Sequence, residues 1–231
     1  MKGNCRVTID LIIFDCDGTL VDSEELGNKA LAETLTKHGY AITPQEATTR
    51  FRGMKIAACL QTIENESGLV ISDAFEDEFR SQMATLFEDE LQPVEGALSL
   101  ISGLRINYCI ASNGPRSKIE NSLRITGLLP YFTDCIFSSY EVGIWKPDPG
   151  FFLHIANQYQ TPPSKCGVVE DSLPGIIAGI DAGMKVWAYA PRGPASNWPA
   201  GVEHFSSMSG LNAHFGQLGL SVPNKSLKGR P

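Results

Sequence analysis

Long apolar runs are missing from this 231-residue chain. None approaches the roughly 20 residues that a membrane-spanning helix needs, so no membrane partner is expected. An excess of positive charge is missing too. Lys and Arg number 19 against 26 Asp and Glu, a formal net charge of -7, so no basic excess offsets phosphate charge and general nucleic-acid binding is not expected. The six cysteines (Cys5, Cys16, Cys59, Cys109, Cys135, Cys166) form no CxxC pair and follow no secretory leader pattern. Reduced thiols in a cytoplasmic protein are expected, rather than a disulfide framework. The nucleotide-binding fingerprints GxGxxG and GxxxxGK[ST] are absent. The four histidines (His38, His154, His204, His214) show no HxH or HxxxH spacing, so no transition-metal site is assigned.

What is present is the alternation of an α/β protein. The runs 9–15, 106–113, 134–139, 166–171 and 185–190 read as buried parallel strands. Helical patterns near 95–104, 116–127, 149–159 and 173–183 separate them, which predicts a Rossmann-like parallel sheet covered on both faces. Residues 25–90 carry helical patterns and no convincing strand, far too long for an ordinary crossover. They read as an inserted helical cap, with 1–24 and 91–231 forming the catalytic core. Asp22 or Ser23 is expected to cap the first cap helix. Gly175, Gly179 and Gly183 fall on one helix face and read as a packing surface against the sheet. The final "VPNKSLKGRP" lacks periodicity and reads as a loose tail.

Ligands of open parallel sheets bind beyond the carboxyl ends of the strands. The predicted strand ends bring Asp15 and Asp17, then Ser112 and Asn113, then Lys146 through a loop, then Glu170 and Asp171 to one rim. Each fragment alone has a plain structural reading: a turn, a strand exit, a solvated lysine, an acidic helix start. All of them in order on successive strands point to chemistry. Crowded carboxylates resist desolvation unless a cation joins them, and hard oxygen donors of this kind suit Mg²⁺. Lys146 is placed to neutralise a further charge.

The segments "DCDGTLVDSE", "ASNGP", "WKPDP" and "VVEDSLPGIIAGIDAGM" closely resemble the four motifs of the haloacid dehalogenase-like hydrolase superfamily. Within it the chain resembles the branch of small sugar phosphatases and β-phosphoglucomutase. "FRGMK", "LFEDELQPVEGA" and the Trp145–Lys146 pair resemble bacterial 6-phosphogluconate phosphatases. The resemblance implies Asp15 as nucleophile, Asp17 as acid and base, Ser112 as a phosphoryl hydrogen-bond partner and Lys146 as charge stabiliser. It implies Mg²⁺ held by Asp15, the Asp17 carbonyl and Asp171, with Glu170 as ligand or neighbour, and substrate contacts from Asn113. It also places a cap loop, here with Arg52, Gly53 and Lys55, over the reaction centre.

The expected reaction is hydrolysis of a small phosphorylated sugar or sugar acid, best matched by 6-phosphogluconate, through an aspartyl-phosphate. A β-phosphoglucomutase-type activity is the alternative, against which stands Gly27, where the mutase carries a histidine. A non-catalytic regulator on the same fold is the alternative of another class. Asp17 argues for phosphate-ester chemistry over dehalogenation. A monomer or weak homo-oligomer is expected.

Overall fold

A computed structural model describes residues 8–51, 56–72 and 74–222. Six parallel strands, β1 (Leu11–Phe14), β2 (Asn107–Ser112), β3 (Ile136–Ser138), β4 (Cys166–Glu170), β5 (Lys185–Tyr189) and β6 (Glu203–Phe205), form one sheet in the order β3-β2-β1-β4-β5-β6. β1 is central, and its four residues are all buried, as a strand covered on both faces demands. The five predicted strands are present. β6 adds a sixth that the sequence reading did not separate, because its Glu-His-Phe lies at an edge and stays partly exposed.

The helices are α1 (Glu24–Lys37), α2 (Pro44–Phe51), α3 (Ile56–Ser67), α4 (Phe75–Glu90), α5 (Ala97–Gly103), α6 (Arg116–Ile125), α7 (Ser139–Val142), α8 (Gly150–Gln158), α9 (Leu173–Asp181) and α10 (Met208–Leu218). Leu11 and Ile13 of β1 pack with Phe151, Phe152 and Ile155 of α8 and Ile176 of α9. α5 lies against α10. Gly179 passes close to Val186 and Val168, where a Cβ would come within 2.8 Å of the Val186 side chain. Gly183 corrects the packing expectation. It follows α9 with φ +72° and nothing near its Cβ position, so it ends the helix in the left-handed conformation that glycine favours.

The chain divides into two compact units, one of residues through Val21 and from Pro93 on, the other Asp22–Gln92. The second unit has its own core, with Leu31 and Leu35 of α1, Ala47 and Phe51 of α2, Ile63 of α3 and Phe75 of α4. Ser23 holds the N-cap position of α1, but its backbone is already helical and its side chain makes no capping hydrogen bond. The predicted cap therefore fails, since capping needs an extended N-cap residue to turn its oxygen toward the first turn. Among the described residues Cys16, Cys59, Cys109, Cys135 and Cys166 are free thiols. No described helix is long and apolar enough to cross a membrane. Residues 223–231 of the predicted tail lie outside the described residues.

Candidate active site

Register places the chemistry. Phe14 of β1 pairs with Val169 of β4, and the Asp15 N–H donates to the Val169 carbonyl at 2.9 Å. Asp15 and Glu170 thus emerge side by side at the carboxyl edge, with Ser112 at the end of neighbouring β2. Lys146 reaches this edge from the loop after α7. Its ammonium donates to Asp15 Oδ1 at 2.6 Å, to the Ala111 carbonyl at 2.7 Å and to Glu170 Oε1. Three N–H donors meet three acceptors, so the buried cation is fully satisfied.

Asn113 fixes that loop. Its Oδ1 accepts from the Lys146 N–H at 3.0 Å and the Ser139 hydroxyl at 2.8 Å, while its Nδ2 donates to the Lys146 carbonyl at 3.2 Å. The Asn113 side chain, assigned to substrate contact from the sequence, is committed to holding Lys146. Ser112 is buried, and its Oγ accepts from the Gly114 N–H at 3.1 Å.

Glu170 is fully buried, and both its carboxylate oxygens are engaged. Oε1 takes Lys146; Oε2 accepts from the Ser172 N–H at 3.1 Å and the Ser172 hydroxyl at 2.8 Å. Ser172 Oγ in turn accepts from the Gly175 N–H at 3.2 Å and so caps α9. Gly175 leaves room for this arrangement, since a Cβ there would stand 1.9 Å from the Glu170 carboxyl. Asp171 Oδ1 accepts from the Thr19 hydroxyl at 3.1 Å. Gly18, with φ +77°, brings its backbone so near Asp171 that a Cβ would lie 2.3 Å from Oδ2.

The electrostatics ask for a cation. Burial pushes the Asp15 carboxyl up to about 8, against the pull of Lys146 and with Glu170 and Asp17 adding repulsion. Burial opposes the charge on Lys146, yet Asp15 and Glu170 outweigh it and hold the ammonium above its ordinary value. Carboxylate oxygens of Asp15, Glu170 and Asp171 lie within 4.8 Å of one another. With Glu170 engaged by Lys146 and Ser172, Asp15 and Asp171 are the hard-oxygen donors that fit a divalent cation such as Mg²⁺, and a cation is what would keep Asp15 ionised at neutral pH.

The Asp17 carboxylate is not one of these three and has a cation of its own. Its Oδ2 accepts from Lys118 Nζ at 2.8 Å, with the two side chains 31% and 32% exposed. Sequence reasoning missed Lys118, Thr19 and Ser172. One signal was available for Lys118: Arg116 and Lys118 put cations in the first turn of α6, where the helix dipole disfavours them. Arg52, Gly53 and Lys55 lie outside the described residues. Arg50, from the same basic run, donates to Tyr40 and pairs with Glu66 within the helical unit.

A family model of haloacid dehalogenase-like hydrolases matches residues 9–183, and the chain belongs to that family. It is 37% identical over 182 residues to a 6-phosphogluconate phosphatase of Escherichia coli K12, covering 78% of this chain and 82% of that protein. A conserved haloacid dehalogenase-like protein of unknown function from Agrobacterium tumefaciens superposes with TM-score 0.80 at 34% identity, over 91% of this chain and 99% of the other. A haloacid dehalogenase-family hydrolase from Deinococcus radiodurans, solved with bound phosphate and sodium, gives TM-score 0.80 at 26% identity, over 94% and 99%.

Proposed function

We propose that the chain is a Mg²⁺-dependent phosphatase of small phosphorylated sugars or sugar acids, with 6-phosphogluconate preferred. One observation carries the reading: a buried carboxylate, Asp15, is held against a buried ammonium, Lys146, at the sheet edge where Ser112 and Asp171 also emerge. Asp15 attacks phosphorus and the bond from phosphorus to the ester oxygen breaks. The electron pair leaves on that oxygen, and Asp17 supplies the proton that makes it an alcohol. Asp17 then takes a proton from water as the water oxygen attacks the aspartyl-phosphate. The bond to Asp15 breaks, inorganic phosphate leaves, and both carboxyls return to their starting states.

Lys146 offsets negative charge beside the attacked phosphorus, and the Ser112 hydroxyl serves a phosphoryl oxygen. Asp15, Asp171 and the Asp17 carbonyl would hold Mg²⁺, with Glu170 as the anchor of Lys146. When bound, such an ion would supply positive charge to offset the carboxylates that hold it. Substrate choice is assigned to Arg52 and Lys55 flanking Gly53, since Arg binds a carboxylate bidentately. The name of the Escherichia coli relative supports the same compound.

The test is steady-state hydrolysis by purified protein. 6-Phosphogluconate should exceed glucose 6-phosphate by about tenfold or more in kcat/KM, given about 1.5–3 kcal/mol per charge-assisted contact. EDTA should abolish turnover and Mg²⁺ restore it, and Asp15→Asn should be inactive. Equal rates on the two esters would overturn the substrate. Turnover in the metal-stripped protein or in Asp15→Asn would overturn the mechanism.

A further inference from the structure

The ion pair between Asp17 and Lys118 has no part in the reaction as written above. We propose that Lys118 is a positioning residue for Asp17: its ammonium, 2.8 Å from Asp17 Oδ2, fixes the direction of the carboxyl that serves the ester oxygen. The inference rests on the phosphatase reading and deepens it.

Lys118 is the third residue of α6. Its side chain runs over Gly114, where a Cβ would lie 3.8 Å from Lys118 Cδ, and ends 2.8 Å from Asp17 Oδ2. The pair therefore ties the loop after β1, which carries Asp15 and Asp17, to the first turn of α6, just beyond the end of β2 at Ser112. An ammonium in the first turn of a helix works against the helix dipole, so helix stability does not explain the position. The contact is also long-range in sequence and only about a third exposed, unlike a solvated pair on one helix. A charge-assisted bond to Asp17 limits the directions its carboxyl can take.

The role has a signature that a merely structural pair lacks. A sugar alkoxide leaves only with a proton, whereas p-nitrophenolate leaves without one. Residues that serve proton transfer therefore matter for the alkyl ester and little for the aryl ester. kcat/KM covers the steps up to cleavage of the ester bond, so the later hydrolysis of aspartyl-phosphate, common to both substrates, drops out.

The experiment measures kcat/KM of the Mg²⁺-loaded wild type, Lys118→Met, Lys118→Arg, Asp17→Asn and Lys118→Met/Asp17→Asn. The substrates are glucose 6-phosphate, an alkyl ester without a carboxylate, and p-nitrophenyl phosphate. The quantity read is the ratio of alkyl to aryl ester within one sample, which is independent of the folded fraction. Lys118→Met should lower that ratio roughly tenfold, a part of the 10²–10⁴-fold typical of general acid catalysis as a whole. Lys118→Arg should restore most of it. Asp17→Asn should lower it further, and the double variant should match Asp17→Asn. An unmoved ratio in Lys118→Met, whether or not both rates fall, overturns the inference alone, as does full additivity in the double variant. Hydrolysis of neither ester by the wild type overturns the phosphatase reading and this inference with it.

Discussion

Both compact units carry surface ion pairs, Lys165–Asp10 and Lys185–Glu203 among those of the α/β unit, but the α/β unit also buries one. In the α/β unit, Lys146 is sealed with Asp15 and Glu170, its side chain 3% exposed. In the helical unit the pairs Lys29–Glu90, His38–Glu78 and Arg80–Glu76, at 2.6–3.1 Å, sit at the surface. The contact distances are alike and the consequences are not. A surface pair gains little over hydrated ions, while a buried one has given up its hydration and depends on its partners. Charge at the helical surface keeps helices soluble, whereas charge at the sheet edge is held in place at a cost, for chemistry.

The largest effect should come from breaking the buried cluster. Lys146→Met leaves two carboxylates buried without their cation and removes the partner of the Ala111 carbonyl. In metal-free protein this should cost about 3–5 kcal/mol, read as a lowered urea midpoint, together with loss of turnover. Lys29→Met in the helical unit should leave the midpoint within error of wild type. If the two substitutions shift the midpoint equally, the contrast between the units is wrong.

That contrast was partly legible in the sequence. Asp15, Ser112 and Glu170 were placed together because continuous apolar runs mark buried parallel strands, and strand ends of such sheets share one edge. Lys146 followed because the loop after β3 must return over that edge. The first-turn position of Lys118 was a signal, but its partner was not legible: 101 residues separate it from Asp17, and nothing local says which way a helical lysine turns. The double use of Ser172, capping α9 while donating to Glu170, likewise needs coordinates. β6 escaped because its three residues are only partly buried. α10 escaped because Gly210 and Gly216 weaken its helical pattern, although Met208, Leu211 and Phe215 line its buried face.

Two glycines sharpen the comparison with a smaller effect and opposite signs. Gly175→Ala forces a methyl into the space of the Glu170 carboxyl, which should cost about 1–3 kcal/mol and lower turnover by shifting Lys146. Gly27 lies inside α1 with nothing within 4 Å of its Cβ position. Gly27→Ala should therefore stabilise the helical unit by about 0.5–1 kcal/mol. Thermal midpoints that move in the same direction for both variants would contradict the packing read at these sites.

The smallest effect belongs to the start of α2, where Thr43 and Glu46 form a reciprocal cap. The Thr43 N–H and hydroxyl both donate to Glu46 Oε2 at 2.8 Å, and the Glu46 N–H donates to Thr43 Oγ1 at 3.2 Å. The backbone bond from Thr43, followed by the hydroxyl bond, holds the Glu46 carboxyl below its ordinary value. A carboxyl lowered on folding contributes stability that is present above its unfolded value, about 4.3, and is lost as pH falls through the folded one. Glu46→Gln should thus lower the thermal midpoint slightly at pH 7, and the difference from wild type should shrink as the solution is made acidic. Hydrolysis of p-nitrophenyl phosphate should be unaffected, because this charge serves a helix end in the helical unit and not the sheet edge. A difference that stays constant down to acid pH would show that the carboxylate charge is not what the cap uses.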